Sequence, residues 1–144
     1  MSVADLSLSH FTDADAVAPH STAQDDSWAK PNGLWVSVDG EDDWASWCES
    51  EEYGIGRNRF AVTLAAASDV LVLATPGEVI EFGREYQLDT YRLEWSRVAE
   101  KHAGIIIAPY QWSLRLSRET SWYYPWDCAS GCIWDATAIE SVTQ

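Results

Sequence analysis

The stretch Gly104-Ile105-Ile106-Ile107-Ala108-Pro109 decides the fold class of this chain. Its apolar run is uninterrupted and ends at a proline, so it predicts a short strand that is buried on both faces. Such a strand needs other elements packed against each side of its sheet. Strand and helix patterns alternate irregularly along the rest of the sequence. They favour one α+β domain over residues 1–144 rather than a doubly wound parallel sheet.

Further elements can be placed on either side of this run. The patterns predict a strand ending near Thr12 and strands over residues 34–38, 59–64, 70–74, 112–116 and 132–134, the last strand of the chain. They predict helices over residues 41–52 with Asp39 as the N-cap, from Pro76 to about Tyr86 with a capping box at Thr75 and Glu78, and over residues 93–102. Residues 13–32 have no periodicity and are expected to form a loop or insertion.

The charge of the chain excludes several classes of protein. Nine basic and 23 acidic residues in a length of 144 give a formal charge of −14. We do not expect duplex nucleic acid to be a partner, because a protein binds a duplex mainly through Lys and Arg contacts to its phosphates. The sequence has neither a membrane-spanning apolar run nor a secretory signal pattern, which predicts a cytoplasmic protein.

The acidic charge is concentrated in the first part of the sequence. Residues 1–56 hold twelve acidic residues and one basic residue, Lys30. The acidic stretch 39–52 has two readings: the solvated face of a packed helix, or a surface that docks a basic protein partner.

Tryptophan and cysteine are the other informative residue types. Nine tryptophans can fill much of the core, and one or two of them can instead line a pocket and stack on a flat ligand. Three cysteines and no export signal argue against a disulfide framework. The C-x3-C spacing of Cys128 and Cys132 supplies too few ligands for structural zinc, so we expect buried thiols and no metal site.

Few residues in this sequence carry obvious chemistry. It contains no P-loop, Rossmann, zinc-protease or nucleophile-elbow motif. Of its histidines, His10 is the most informative, because it ends a predicted strand near Trp35 and Ser37. It is either a structural histidine or one that hydrogen-bonds a ribose while an indole stacks on a ring.

Four segments in this order resemble the ADP-ribosyltransferase superfamily, including its RNA 2′-phosphotransferase-like branch: His10-Phe11-Thr12, Gly33-Leu34-Trp35-Val36-Ser37, Gly104-Ile105-Ile106-Ile107 and Cys132-Ile133-Trp134-Asp135. The resemblance implies split, mostly antiparallel sheets with two or three helices. It also implies NAD as the cofactor, and NAD or an ADP-ribose-like molecule as the ligand.

The resemblance assigns roles to four residues of the cofactor site. His10 would hold a ribose hydroxyl and Thr12 would support the same strand end. Trp35 would replace the family's usual aromatic residue, and Ser37 would lie near the nicotinamide amide. The phosphate contacts would come from one of three arginines: Arg57, Arg59 or Arg84.

The catalytic glutamate of the family has no counterpart in this sequence. Its position falls near Ser130 or Gly131, and neither residue is acidic. Asp127 is the nearest upstream carboxylate, and Glu119 lies in the preceding loop, where some members place a second acidic residue. Asp127, Glu119 and Ser130 are therefore the candidate catalytic residues, unless the site binds its ligand without transferring it.

Three functions remain open at this point. The first is an NAD-dependent ADP-ribosyltransferase that modifies a protein or nucleic-acid target, in the setting of a toxin or a phage effector. The second is a non-catalytic acidic interaction protein, an inhibitor or nucleic-acid mimic of the kind that phages encode, which blocks a basic partner surface. The third is a domain that keeps the nucleotide pocket and has lost turnover.

Overall fold

The computed structural model describes residues 2–144, which contain seven strands and three α-helices. The strands are β1 (Leu8–Thr12), β2 (Leu34–Val38), β3 (Asn58–Leu64), β4 (Val70–Leu73), β5 (Gly104–Ile107), β6 (Ser130–Ile133) and β7 (Ile139–Thr143). The α-helices are α1 (Trp44–Glu51), α2 (Pro76–Tyr86) and α3 (Trp95–Val98), and short 3₁₀ helices cover Val3–Asp5, Trp112–Leu114, Arg118–Tyr123 and Ala136–Ala138. The predicted α+β class is confirmed.

All seven strands form one curled sheet in the order β4-β5-β6-β2-β1-β3-β7, in which only the β4–β5 pair is parallel. The pairing is uneven across the middle of this order. β1 pairs with β3 at five positions and β2 pairs with β6 at four, but β1 and β2 pair only at Leu8↔Val38 and Ser9↔Ser37. The sheet therefore opens between β1 and β2, which agrees with the expected split.

The core lies on both faces of the sheet, as the isoleucine run predicts. Ile105 and Ile107 pack into a cluster with α2 and α3, whereas Ile106 belongs to a second cluster on the opposite face. All three side chains are fully buried. The first cluster also holds four of the nine tryptophans, Trp95, Trp122, Trp126 and Trp134, which confirms that tryptophan fills much of the core.

Thr75 is the N-cap of α2 as predicted, but the return bond of the capping box goes to Ala74, one residue before the N-cap. The Thr75 hydroxyl accepts a hydrogen bond from the Glu78 amide at 3.2 Å, and the Glu78 carboxylate accepts one from the Ala74 amide at 3.1 Å. These bonds satisfy amide groups that have no partner within the helix, so the chain turns directly from β4 into α2.

The first predicted helix is shorter than expected and its N-cap is different. α1 begins at Trp44, and Asp43 rather than Asp39 caps it by accepting a hydrogen bond from the Ser46 amide. Asp42 has a left-handed backbone (φ 60°), which is incompatible with a helix that begins earlier. Asp39 instead accepts hydrogen bonds from Ser7, Ser9 and Arg59.

Three other predictions need correction. The helix predicted over residues 93–102 is only Trp95–Val98, because the chain after it turns through short local bonds into β5. Residues 112–116 are not a strand, since the Leu114 amide bonds locally to the Gln111 carbonyl in a 3₁₀ helix. The strand predicted at 132–134 begins at Ser130 and is followed by β7, an edge strand with little burial.

Residues 13–32 contain no helix or strand, but their last part is packed firmly. Ala29 is fully buried, and its carbonyl accepts a hydrogen bond from the Trp126 indole at 3.1 Å. This contact fixes the position of Lys30. Among residues 2–144, no helix combines the length and the apolar character that crossing a membrane requires.

Candidate functional site

A cavity of about 480 Å³ lies where β1 and β2 separate. Its walls are the diverging strand ends, the end of the 13–32 loop at Lys30, the first turn of α1 at Trp44, and residues 126–130 before and at the start of β6. Its volume falls within the range of about 300–1,000 Å³ that is typical of small-molecule sites.

His10 joins the two strands at the mouth of the opening. Its Nδ1 atom lies 2.6 Å from the carbonyl oxygen of Trp35. Because a carbonyl can only accept, Nδ1 carries the proton and donates it. In the neutral ring, Nε2 is then an acceptor that His10 can offer to a hydroxyl group in the cavity.

Two serines line the inner wall and are held by backbone groups. The Ser37 hydroxyl accepts a hydrogen bond from the Trp44 amide at 2.9 Å, which ties the start of α1 to β2. The Ser130 hydroxyl donates to the Cys128 carbonyl at 3.0 Å. Both side chains are buried. Neither serine has a basic partner that would make it a nucleophile.

The neighbouring position on β6 cannot hold any side chain. A Cβ atom on Gly131 would overlap the carbonyl oxygen of Ile105 on the adjacent strand. Glycine is therefore required here by close packing of two backbones. Of the two positions that correspond to the family's glutamate, Gly131 therefore cannot carry one, and Ser130 carries a hydroxyl.

Indole rings form the apolar walls. Trp35 and Trp126 meet edge to face with their centroids 5.1 Å apart. Trp44 stacks on Trp47 at 5.0 Å and presents part of its surface to the cavity. Rigid aromatic walls with a few fixed polar groups suit a flat heteroaromatic ring that carries hydroxyl groups.

The cavity lining holds the charged residues Lys30, Asp13 and Asp127, and the Asp13 carboxylate lies 3.8 Å from the Arg57 guanidinium. The Lys30 ammonium lies 5.7 Å from the centre of the Trp35 ring. Burial raises the pKa of Asp127 above its ordinary value, although Lys30 and Arg115 act in the opposite direction. The Arg115 guanidinium lies 4.0 Å from the Asp127 carboxylate. The site thus combines a cation that can hold an anion with a poorly solvated carboxylate.

The turn at residues 54–56 closes the side of the cavity next to β1. Gly56 has a left-handed backbone (φ 102°), and a Cβ atom there would lie 3.0 Å from the Thr12 amide nitrogen. This close approach requires glycine. The Thr12 hydroxyl accepts a hydrogen bond from the Ala14 amide and so fixes the strand end.

The structure brings six of the seven predicted site residues to this one cavity: His10, Thr12, Trp35, Ser37, Asp127 and Ser130. Glu119 is not among them, because it forms an exposed ion pair with Arg84, whose Nε atom donates to it at 2.7 Å. None of the three arginines considered for phosphate binding lines the cavity. Arg57 and Arg59 pair instead with Asp13 and Asp39.

Sequence reasoning missed several residues of the site. Lys30 is the single base among residues 1–56, which is a signal that its role is specific. For Trp126 and Trp44, the sequence indicates only that one or two of the nine tryptophans can line a pocket, and not which ones. The contacts that bring these residues together span long stretches of sequence, as between Trp126 and Ala29, so no local pattern reports them.

Metal and thiol chemistry find no support in the described part of the chain. Among residues 2–144, no three His, Cys, Asp or Glu side chains are grouped as metal ligands would be. The three cysteines are free and buried. Burial raises the pKa of Cys128 to about 11, so this thiol at the cavity wall stays protonated near neutral pH.

No family model, curated protein or solved structure matches the chain.

Proposed function

We propose that the cavity binds NAD or an ADP-ribose-like nucleotide, and that the chain is an ADP-ribosyltransferase-like protein acting on a protein or nucleic-acid target. One observation carries this proposal. The sheet opens immediately after the Ser9↔Ser37 pair, and His10 bridges the gap to Trp35 with Nδ1 while its ring lines the cavity. A histidine fixed in this way offers Nε2 to a ribose hydroxyl.

The remaining walls support the same class of ligand. The indoles of Trp35 and Trp126 provide apolar surface for a flat ring. Lys30 provides a positive charge for a phosphate group, in a chain whose overall charge would otherwise repel it. A nucleotide carries a ring, hydroxyl groups and phosphates, and so matches all three features.

Asp127 is the residue that we assign to catalysis. Cleavage of the bond between nicotinamide and ribose develops positive charge on the ribose, and a nearby carboxylate stabilises that charge. This role requires the ionised form. The positive charges of Lys30 and Arg115 favour ionisation against the effect of burial. Ser130, whose hydroxyl is bonded to a backbone carbonyl, is assigned to the shape of the site.

The cellular location that we propose is the cytoplasm. Cys48, Cys128 and Cys132 are all free and buried, which suits a reducing compartment.

The test is a thermal-shift titration of the purified protein with NAD and with ADP-ribose, paired with an assay for nicotinamide release. A rise in melting temperature with either nucleotide supports the binding site. Release of nicotinamide that is lost in Asp127→Asn supports the transferase, whereas binding without release supports a domain that keeps the pocket alone. If neither nucleotide changes the melting temperature at millimolar concentration, the proposal is wrong.

A second candidate is a non-catalytic interaction protein that blocks a basic partner surface. Seven acidic residues lie between positions 39 and 52, and within residues 2–144 only Asp39 among them takes part in an ion pair. The side chains of Glu41, Glu49, Glu51 and Glu52 are exposed. Binding of such a partner would weaken steeply with salt, and this behaviour separates the two candidates.

A further inference from the structure

A second groove, of about 340 Å³, adjoins the nucleotide cavity. Asp127 lines both of them. The other walls of the groove come from residues 42–51 on one side and from Trp112 and Arg115 on the other. A molecule held in this groove would lie directly beside the carboxylate that we assign to catalysis.

The groove is strongly negative. Asp42, Asp43 and Glu51 line it together with Asp127, and among residues 2–144 none of those first three is in an ion pair. Arg115 is the one base in its lining. Phosphates are therefore repelled and cations are attracted.

Arg115 leaves most of this negative charge uncompensated. Its guanidinium donates a hydrogen bond to the Tyr110 hydroxyl at 2.8 Å and lies over the Tyr124 ring at 5.0 Å. These contacts hold it at the end of the groove near Asp127, 4.0 Å from that carboxylate. Among residues 2–144, no arginine or lysine forms an ion pair with the carboxylates of Asp42, Asp43 or Glu51.

An exposed tryptophan faces these carboxylates. Trp112 is 60% exposed, and its indole N–H donates to the Asp42 carboxylate at 2.9 Å. This bond and an edge-to-face contact with Tyr110, at 4.8 Å between ring centroids, fix the orientation of the indole, and its exposed surface remains available for contact. On the other wall, Trp47 is stacked on Trp44 and is held rigidly.

We propose that this groove binds an arginine-bearing segment of a partner protein. A planar guanidinium can stack on the Trp112 indole and pair with a carboxylate at the same time, which a lysine ammonium does less well. The exposed Tyr124, whose ring lies under the Arg115 guanidinium, adds apolar contact for the rest of the segment. Asp127 is the one residue that the two linings share, so a segment can occupy the groove whatever fills the cavity between β1 and β2.

The first test uses a short fluorescein-labelled peptide of alternating Arg and Ala, with Lys-Ala and Glu-Ala peptides and a single-stranded oligonucleotide as counter-probes. Fluorescence anisotropy measures affinity. NMR reports the site through the indole N–H resonance of Trp112, which is assigned by its absence in Trp112→Phe. We expect the Arg-Ala peptide to bind most tightly and to shift this resonance. No binding of this peptide, or tighter binding of the oligonucleotide, would overturn the proposal.

A pair of double variants separates the groove from the general negative charge. Asp42→Asn with Glu51→Gln removes two carboxylates of the groove, and Glu81→Gln with Glu140→Gln removes two exposed carboxylates elsewhere. Both pairs change the net charge equally. We expect the groove pair to weaken peptide binding about tenfold and the control pair less than about twofold at physiological salt. Equal losses in both would contradict a specific site, and melting curves show whether each variant is folded.

Discussion

The Nδ1 atom of His10 lies 2.6 Å from the carbonyl oxygen of Trp35, one residue beyond the last backbone pair between β1 and β2. The side chain replaces a bond that the two backbones no longer make. It holds the strand ends at a fixed separation and leaves space between them for a ligand. This one contact therefore serves both the fold and the proposed nucleotide site.

These two roles of His10 can be separated by substitution. In His10→Asn the side-chain amide can still donate to the Trp35 carbonyl, but no atom replaces Nε2. We expect it to keep most of the stability and to lose nucleotide binding. His10→Ala should also lower the free energy of unfolding by about 1–2 kcal/mol, measured by urea denaturation.

The matched control is His20→Ala, since His20 is exposed in the 13–32 loop. It should change neither quantity. Normal NAD and ADP-ribose affinity in His10→Asn would show that Nε2 does not contact the ligand.

The ionised Asp127 carboxylate should be needed for nicotinamide release and should lower the stability of the folded protein. Burial raises its pKa above the ordinary 3.8, so the folded protein binds this proton more tightly than the unfolded chain does. Stability therefore falls as the pH rises through the window between 3.8 and the raised value. Asp127→Asn cannot ionise, and near neutral pH we expect it to melt roughly 1–3 °C higher than the wild type while releasing no nicotinamide.

The sign of this effect is checked by its pH dependence. The difference in melting temperature should shrink as the pH falls and disappear below 3.8, where the wild-type carboxyl is protonated in both states. A less stable Asp127→Asn near neutral pH would mean that the ionised carboxylate is stabilised by its neighbours.

Lys30 should contribute to the affinity for negatively charged ligands and not to the affinity for uncharged ones. Lys30→Met removes the cation of the cavity between β1 and β2 and keeps much of the apolar stem. We expect affinity for NAD and ADP-ribose to fall about tenfold and affinity for uncharged adenosine to stay the same, as measured by calorimetry. Lys101→Met, at an exposed position outside the cavity, is the matched control. A parallel loss for adenosine would assign Lys30 to the shape of the wall.

Glu119 should prove dispensable for turnover. Its carboxylate pairs with Arg84 at the surface, away from the cavity lining. Glu119→Gln is expected to leave nicotinamide release unchanged and to cost about 0–1 kcal/mol of stability, the usual range for an exposed ion pair. A large drop in turnover with normal nucleotide binding would show that a different arrangement brings Glu119 to the ligand.

Gly131 is expected to tolerate no substitution. Gly131→Ala would force its methyl group against the backbone of β5 and should destabilise the protein by about 3 kcal/mol or more. Gly77→Ala in the first turn of α2 is the control, because a Cβ atom there meets nothing within 4 Å. It should be neutral or stabilising by up to about 1 kcal/mol. Unfolding in urea compares the two variants.

Much of the fold could be predicted from local patterns. The isoleucine run of β5, the Leu34–Val38 strand and the N-cap at Thr75 each carry their signal in neighbouring residues. Weaker elements were missed or misplaced. β7 is an exposed edge strand with little apolar alternation. α1 begins later than predicted because Asp42 adopts a left-handed backbone, and the identity of this residue does not by itself predict that conformation.

In the candidate site, too, local sequence patterns predict some residues and not others. His10, Thr12, Trp35 and Ser37 lie on strands with clear patterns, and the family resemblance suggested their roles. Lys30 and Trp126 reach the cavity through a packing contact between distant parts of the chain, which sequence spacing does not encode. Glu119 was chosen by its place in the sequence, and its partner Arg84 on α2 holds it elsewhere.

The two-pair junction between β1 and β2 also bears on how a ligand would enter. β1 is anchored to β3 along its whole length, and β2 is anchored to β6, so each strand keeps its ladder if the gap beyond Ser9 widens. Within residues 2–144, the bond between His10 and Trp35 is the hydrogen bond that joins the two strands beyond the Ser9↔Ser37 pair. A local opening of this kind needs far less free energy than unfolding either half of the sheet. A bulky molecule can thus enter the cavity between β1 and β2 while the β1–β3 and β2–β6 ladders that form its walls stay rigid.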